Sequence, residues 1–143
     1  MLVLVVDANR VFSTLLSKGG AFDVFLASKL LKRFEFIALE YLFQEIGMHF
    51  DELVERSKLS SEELTKVFRF VKEEIEFIPF EEFKEYAGEA EEIAPHVKDL
   101  QYFALALASE CGIWSDDKAF KKQSRVKVYS TEELLKLLSK ATP

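Results

Sequence analysis

"LVLVVDAN", residues 2–9, is the stretch on which the reading of this chain turns. Its first five residues are all apolar, three of them valine, with no polar residue alternating between them. That is the pattern of a strand covered on both faces, as in a parallel sheet, rather than a strand with one wet face. The run stops on Asp7, an acid at the end of a fully apolar strand, where desolvation demands a partner. Two residues later stands Asn9, the one asparagine among 143 residues.

Further strands are expected at "EFIAL" (35–39), "IEFIPF" (75–80), "GIW" (112–114) and "VKVYS" (126–130). Between them the spacing is helical. Phe22, Phe25, Leu26, Leu30 and Phe34 recur at three- and four-residue steps, and Leu42, Ile46, Phe50 and Leu53 repeat this over 41–56. Ser60 with Glu63 and Ser130 with Glu133 have the spacing of capping boxes. Residues 79–95 read as a helix between two prolines, 99–111 as an apolar helix opening at Asp99, and "SKGGAF" (17–22) as a turn feeding a helix. Strands alternating with helices imply right-handed crossovers, hence an α/β fold of three layers, α/β/α, around a central parallel sheet. No repeat or linker interrupts the chain, so one domain over 1–143 is expected.

Composition excludes several classes. The net charge of −6 argues against a broad basic surface for gripping phosphates, leaving only a local patch or bridging cations. No apolar stretch reaches the ~20 residues of a membrane span, and the start lacks the pattern of a signal peptide, so no membrane association and a cytoplasmic location are expected. The single cysteine, Cys111, reads as a small buried hydrophobe. Abundant Glu and Lys beside a single Asn match the usage of proteins from thermophiles. His49 and His96 lack metal-ligand spacing, and no phosphate-cradling glycine loop or serine elbow is present.

The acids are informative because the chain prefers glutamate: only six aspartates occur, and four of them are Asp7, Asp99, Asp116 and Asp117. Asp7 ends the first strand, Asp116 and Asp117 follow "GIW", and Asp99 opens a helix, so the scarce aspartates can converge outside the carboxyl ends of the strands. Asp99 and one of Asp116 and Asp117 have a structural excuse as helix caps, whereas Asp7, ending an apolar strand, is harder to excuse. Grouped carboxylates, however, repel unless a cation joins them, and an oxygen-only set suits Mg²⁺ or Mn²⁺ better than zinc. Glu45, on the helix after the second strand, can look to the same edge; Glu40 and Glu52 compete with it on spacing alone.

In this order the residues resemble PIN domains, metal-dependent ribonucleases that include the VapC toxins. The resemblance rests on "VVDAN" with Asp7 and Asn9, "LFQEI" with Glu45, "KDLQYFALALA" with Asp99, and "SDDKAF" with Ser115 and Asp117. Ala8 and Ala119 depart from the residues common at those places. The resemblance selects Glu45 among the glutamates. It implies that Asp7, Glu45, Asp99 and Asp117 hold one or two Mg²⁺ or Mn²⁺ ions and carry catalysis, with Asp116 as a candidate extra ligand. Asn9 and Ser115 would orient carboxylates or water. The implied activity is hydrolysis of RNA to 5′-phosphate and 3′-hydroxyl ends, in a VapC-type toxin with an antitoxin partner or in a processing nuclease, with a homodimer compatible with either. Two rivals stand beside it. A PIN-like module without turnover would serve binding or assembly, and a phospho-accepting receiver domain would place its paired acids after the first strand rather than late in the chain.

Overall fold

The computed structural model describes residues 1–140. Five parallel strands, β1 (Leu2–Val6), β2 (Phe34–Leu39), β3 (Ile75–Ile78), β4 (Gly112–Trp114) and β5 (Val128–Tyr129), form one sheet in the order β3-β2-β1-β4-β5. The expected three-layer α/β/α arrangement is present, because each strand sends alternate side chains to two separate cores. Leu4, Val6, Phe36, Ala38 and Trp114 face one. Val5, Ile37, Leu39 and Ile113 face the other. This is why the strand sequences do not alternate in polarity.

The first core is covered by α1 (Ala8–Ser17), α2 (Gly19–Leu31), α4 (Phe50–Arg56), α5 (Ser61–Glu74) and α8 (Thr131–Lys140). The second is covered mainly by α6 (Ala87–Ile93) and α7 (Leu100–Ser109). Helix α3 (Glu40–Met48) leaves the end of β2 directly. Gly112 is required at the start of β4, since a Cβ there would lie 2.8 Å from the Lys127 carbonyl oxygen.

Several local expectations change. The segment 8–17, in which sequence spacing marked no helix, is α1, begun by the Asp7 side chain accepting from Asn9 N–H. The turn at 17–22 is real and tight: Lys18 and Gly19 both have positive φ, 64° and 60°, so α2 starts at once after α1. The expected helix 41–56 breaks at His49 (φ −108°, ψ 15°) into α3 and α4. Residues 79–95 form two 3₁₀ turns, Phe80–Glu82 and Lys84–Tyr86, before the short α6, because the chain leaves helical geometry at Phe83 (φ −133°). Both caps are present. Ser130 and Glu133 make the full reciprocal box (Glu133 N–H to Ser130 Oγ, 3.1 Å; Ser130 N–H to Glu133 Oε1, 3.0 Å). Ser60 accepts from Glu63 N–H, while the Glu63 carboxylate turns away to Lys18.

Candidate functional site

The strand order reverses at β1: the chain moves to β2 and β3 on one side and to β4 and β5 on the other. The carboxyl edge between β1 and β4 is thus the switch point at which open α/β sheets form their ligand crevice, and the loops after those two strands flank it. Asp7 and Ser115–Asp117 occupy those two loops. Asp7 N–H continues the β1–β4 ladder to the Trp114 carbonyl (3.0 Å), and Ser115 N–H continues the β4–β5 ladder to Tyr129 (3.0 Å), so both side chains are aimed by sheet hydrogen bonds.

Asp7 is buried and held at both oxygens. Ser115 Oγ donates to Oδ2 at 2.7 Å and Asn9 N–H donates to Oδ1 at 3.2 Å. Ser115 Oγ in turn accepts from Asp117 N–H at 3.1 Å, which ties the two acidic loops together. Burial raises the Asp7 carboxyl above its ordinary value; the Ser115 and Asn9 hydrogen bonds and the Arg10 cation oppose this, and the Asp117 charge reinforces it. Asp99, 7 % exposed, is likewise raised, first by burial and then by Asp117 and Asp7 against the opposing Lys98. Its carboxylate makes no cap hydrogen bond to α7, so the capping explanation does not account for it. Asp7, Asp99 and Asp117 thus repel one another across a common space.

Glu45 joins this group through Tyr102. The Tyr102 hydroxyl accepts from Ala8 N–H at 3.2 Å. Burial, followed by the Asp7, Glu45 and Asp99 charges, pushes its phenol far above the usual range, so it stays neutral among the acids. Of the competing glutamates, Glu40 is exposed, and Glu52 engages His49 and Arg56 on α4. Tyr102 went unnoticed in the sequence, although it lies one helical turn after Asp99 and so on the same face.

The adjacent aspartates face different ways, as successive residues of extended chain do. Asp117 Oδ1 accepts from Ala119 N–H at 2.9 Å and shares the space of Asp7 and Asp99. Asp116 spends both oxygens elsewhere: Oδ1 accepts from Thr131 N–H (2.7 Å), and Oδ2 accepts from Thr131 Oγ1 (2.7 Å) and Arg10 Nη1 (2.5 Å). It staples the β4 loop to the start of α8 and to α1. Arg10, three residues after Asp7 and a second residue missed in the sequence, also keeps a buried Nε without a partner among the described residues. His96 accepts from Lys98 N–H at 3.2 Å, and burial pushes the Cys111 thiol up to about 11, so each has a packing or capping role.

Among the described residues, no three Asp, Glu, His or Cys side chains are disposed as they stand to hold a metal ion. The chemistry of the set nevertheless fits a hard cation. All its donors are carboxylate oxygens, and two of the acids are buried without an ion pair of their own among the described residues.

Fold and site together define a parallel α/β domain with an acidic crevice at its topological switch point. Residues 5–139 match the family model described as PIN domain, and the chain belongs to the PIN domain family. PIN domains are in general nucleases that act on RNA and typically depend on divalent metal. Neither a curated protein nor a solved structure matches the chain. No helix among the described residues is long and apolar enough to cross a membrane.

Proposed function

We propose that this protein is an endoribonuclease that hydrolyses RNA phosphodiester bonds with Mg²⁺ or Mn²⁺ held by Asp7, Glu45, Asp99 and Asp117. The observation that carries this reading is the burial of Asp7 and Asp99 at the switch point of the sheet, with Asp117 tied to Asp7 through the Ser115 hydroxyl. Such an arrangement is costly unless a cation is part of the working state. The bound ion supplies positive charge that acidifies water and offsets charge on the scissile phosphate.

The chain's own groups give the site its geometry. Ser115 and Asn9 N–H hold both Asp7 oxygens, Tyr102 keeps a neutral hydroxyl among the acids, and Arg10 supplies a standing positive charge beside Asp7. Substrate phosphates need cations that an acidic chain lacks overall. "KAFKKQSRVK" (118–127), directly after Asp117, has five basic residues and no acid. Lys121 engages Glu133 and Arg125 engages Glu89, whereas Lys118 and Lys122 have no ion pair among the described residues and are left to take the RNA backbone.

One observation favours a second reading, a PIN domain that binds without turnover: Arg10 already lowers the charge stress on Asp7 without any metal. The two readings separate on one experiment. With Mg²⁺ or Mn²⁺ the protein should cut single-stranded RNA, stop in EDTA, and lose about a hundredfold or more on Asp7→Asn. Equal cleavage by wild type and Asp7→Asn, with no calorimetric Mg²⁺ or Mn²⁺ binding, leaves the binding module.

A further inference from the structure

A cleft of about 370 Å³ opens beside the acidic crevice, between α1 and α4. Asn9, Phe12 and Leu16 line it from one face of α1, at i, i+3 and i+7. His49, Glu52, Leu53 and Arg56 line it from one face of α4 and its leading residue. The two helices run in the same sense, because Ser57 Oγ and Lys58 N–H, just beyond α4, donate to the Leu15 and Leu16 carbonyls near the end of α1 (both 2.8 Å). His49 therefore lies toward the Asn9 end of the groove and Arg56 toward the Leu16 end. From Asn9 to Leu16 the groove is about 10 Å long at the rise of an α-helix.

Its chemistry is unlike that of the lysine strip. The floor is apolar and contains an aromatic ring, since Phe12 is only partly buried. The rim charges are paired among themselves: Glu52 lies 3.5 Å from His49 Nδ1 and 3.7 Å from Arg56 Nη1. A groove with little net charge suits a flat uncharged group better than a phosphate. At its site end stand an amide and an imidazole, both able to hydrogen bond to such a group's edge. Asn9 belongs to the groove and, through its N–H, to the Asp7 carboxylate, so whatever lies there is continuous with the crevice.

We infer that this groove is a nucleobase subsite: it takes an unstacked base of the RNA strand whose phosphate lies at the acidic crevice, with the ring of Phe12 as its stacking surface. Sequence-reading of single-stranded RNA generally works this way, through splayed bases on aromatic faces with polar groups at their edges. The inference rests on the proposed nuclease reading, but its test does not need cleavage.

The test uses the full chain in EDTA and fluorescence anisotropy with three probes: single-stranded octamers of adenylate and of uridylate, and an octamer of the same backbone with abasic sites. Wild type should bind at least one base-bearing octamer about tenfold more tightly than the abasic one. Phe12→Leu, which keeps the position apolar and removes the ring, should erase most of that difference while leaving abasic affinity unchanged. His49→Ala and Arg56→Ala, both at exposed positions, should change the preference between adenylate and uridylate without lowering the melting temperature. Equal affinity for base-bearing and abasic RNA overturns the inference, as does absence of binding to all three. So does a Phe12→Leu protein that melts as wild type and keeps the full base-dependent gain. Loss of self-association in sedimentation on Phe12→Leu, with RNA binding unchanged, assigns the groove to a second copy of the chain instead. Failure of the nuclease reading shows separately, as metal-independent behaviour of Asp7→Asn.

Discussion

Ser115 Oγ donates to Asp7 Oδ2 at 2.7 Å, joining two residues 108 positions apart that leave neighbouring parallel strands. Because Ser115 also accepts from Asp117 N–H, one hydroxyl sets the relation between two of the acidic loops. Ser115→Ala should cost about 1–3 kcal/mol, the range for a buried polar group left unsatisfied, measured by denaturant unfolding. The same bond lowers the Asp7 carboxyl, so its loss should move the acidic limb of the pH–rate profile upward. The rate should fall less than on Asp7→Asn.

Metal-free stability should depend on pH with a sign set by the raised Asp7 and Asp99. A raised folded value means that the native state binds these protons more tightly than the unfolded chain. Their contribution is complete below the ordinary 3.8 and is lost as pH climbs through the raised values. Melting in EDTA should therefore improve as pH falls from neutral toward that window. Glu133 acts oppositely, since Lys121 and the Ser130 N–H push it down to about 2: its contribution is present above 4.5 and is lost as pH falls toward 2. Saturating Mg²⁺ should flatten the decline toward neutral pH. A melting temperature independent of both pH and Mg²⁺ between pH 4 and 8 counts against a strained acidic site.

Neutralising Asp99 separates a strained acid from a structural one. Its carboxylate makes no cap bond and suffers the Asp7 and Asp117 charges. Metal-free Asp99→Asn should melt at or above wild type, by roughly 2–4 °C if about 1 kcal/mol of repulsion is relieved, while RNA cleavage falls sharply. A clear drop in melting temperature shows that the carboxylate has a structural role instead.

The neighbouring aspartates should behave oppositely. Asp116→Ala removes the acceptor of Thr131 N–H and the partner of Arg10, and should cost about 1–2 kcal/mol as a lost cap while sparing much of the activity. Asp117→Ala should abolish cleavage and, through loss of the Ala119 N–H acceptor, cost no more than about 1 kcal/mol. Thermal melts and kcat measured on the same preparations decide this; matching profiles for the two variants contradict the division.

Gly112→Ala should destabilise by about 1–3 kcal/mol, the range for overpacking, because the added methyl meets the Lys127 carbonyl and the Tyr129 ring between β4 and β5. Chemical denaturation measures it. Gly47→Ala, in open space on α3, is the control and should be neutral or mildly stabilising.

Whatever depends on local pattern was legible before folding was considered. Unbroken apolar runs made the strands parallel and doubly covered. Helical spacing placed α2, and the Ser60 and Ser130 caps marked the starts of α5 and α8. The order of Asp7, Glu45, Asp99 and Asp117 between those elements carried the family. Matters that depend on how distant segments meet were not legible there. Asp116 and Asp117 are chemically identical neighbours, and which one enters the acidic space was settled by Arg10 and Thr131 taking the other. Tyr102 and Arg10 became part of the site because α7 and α1 bring them to Asp7. The breaks at His49 and Phe83 and the α1–α4 groove arise in the same way. Periodicity records which residues share a face, whereas hydrogen-bond partners and the charge felt by a carboxylate depend on distances through space, which packing across the sheet sets.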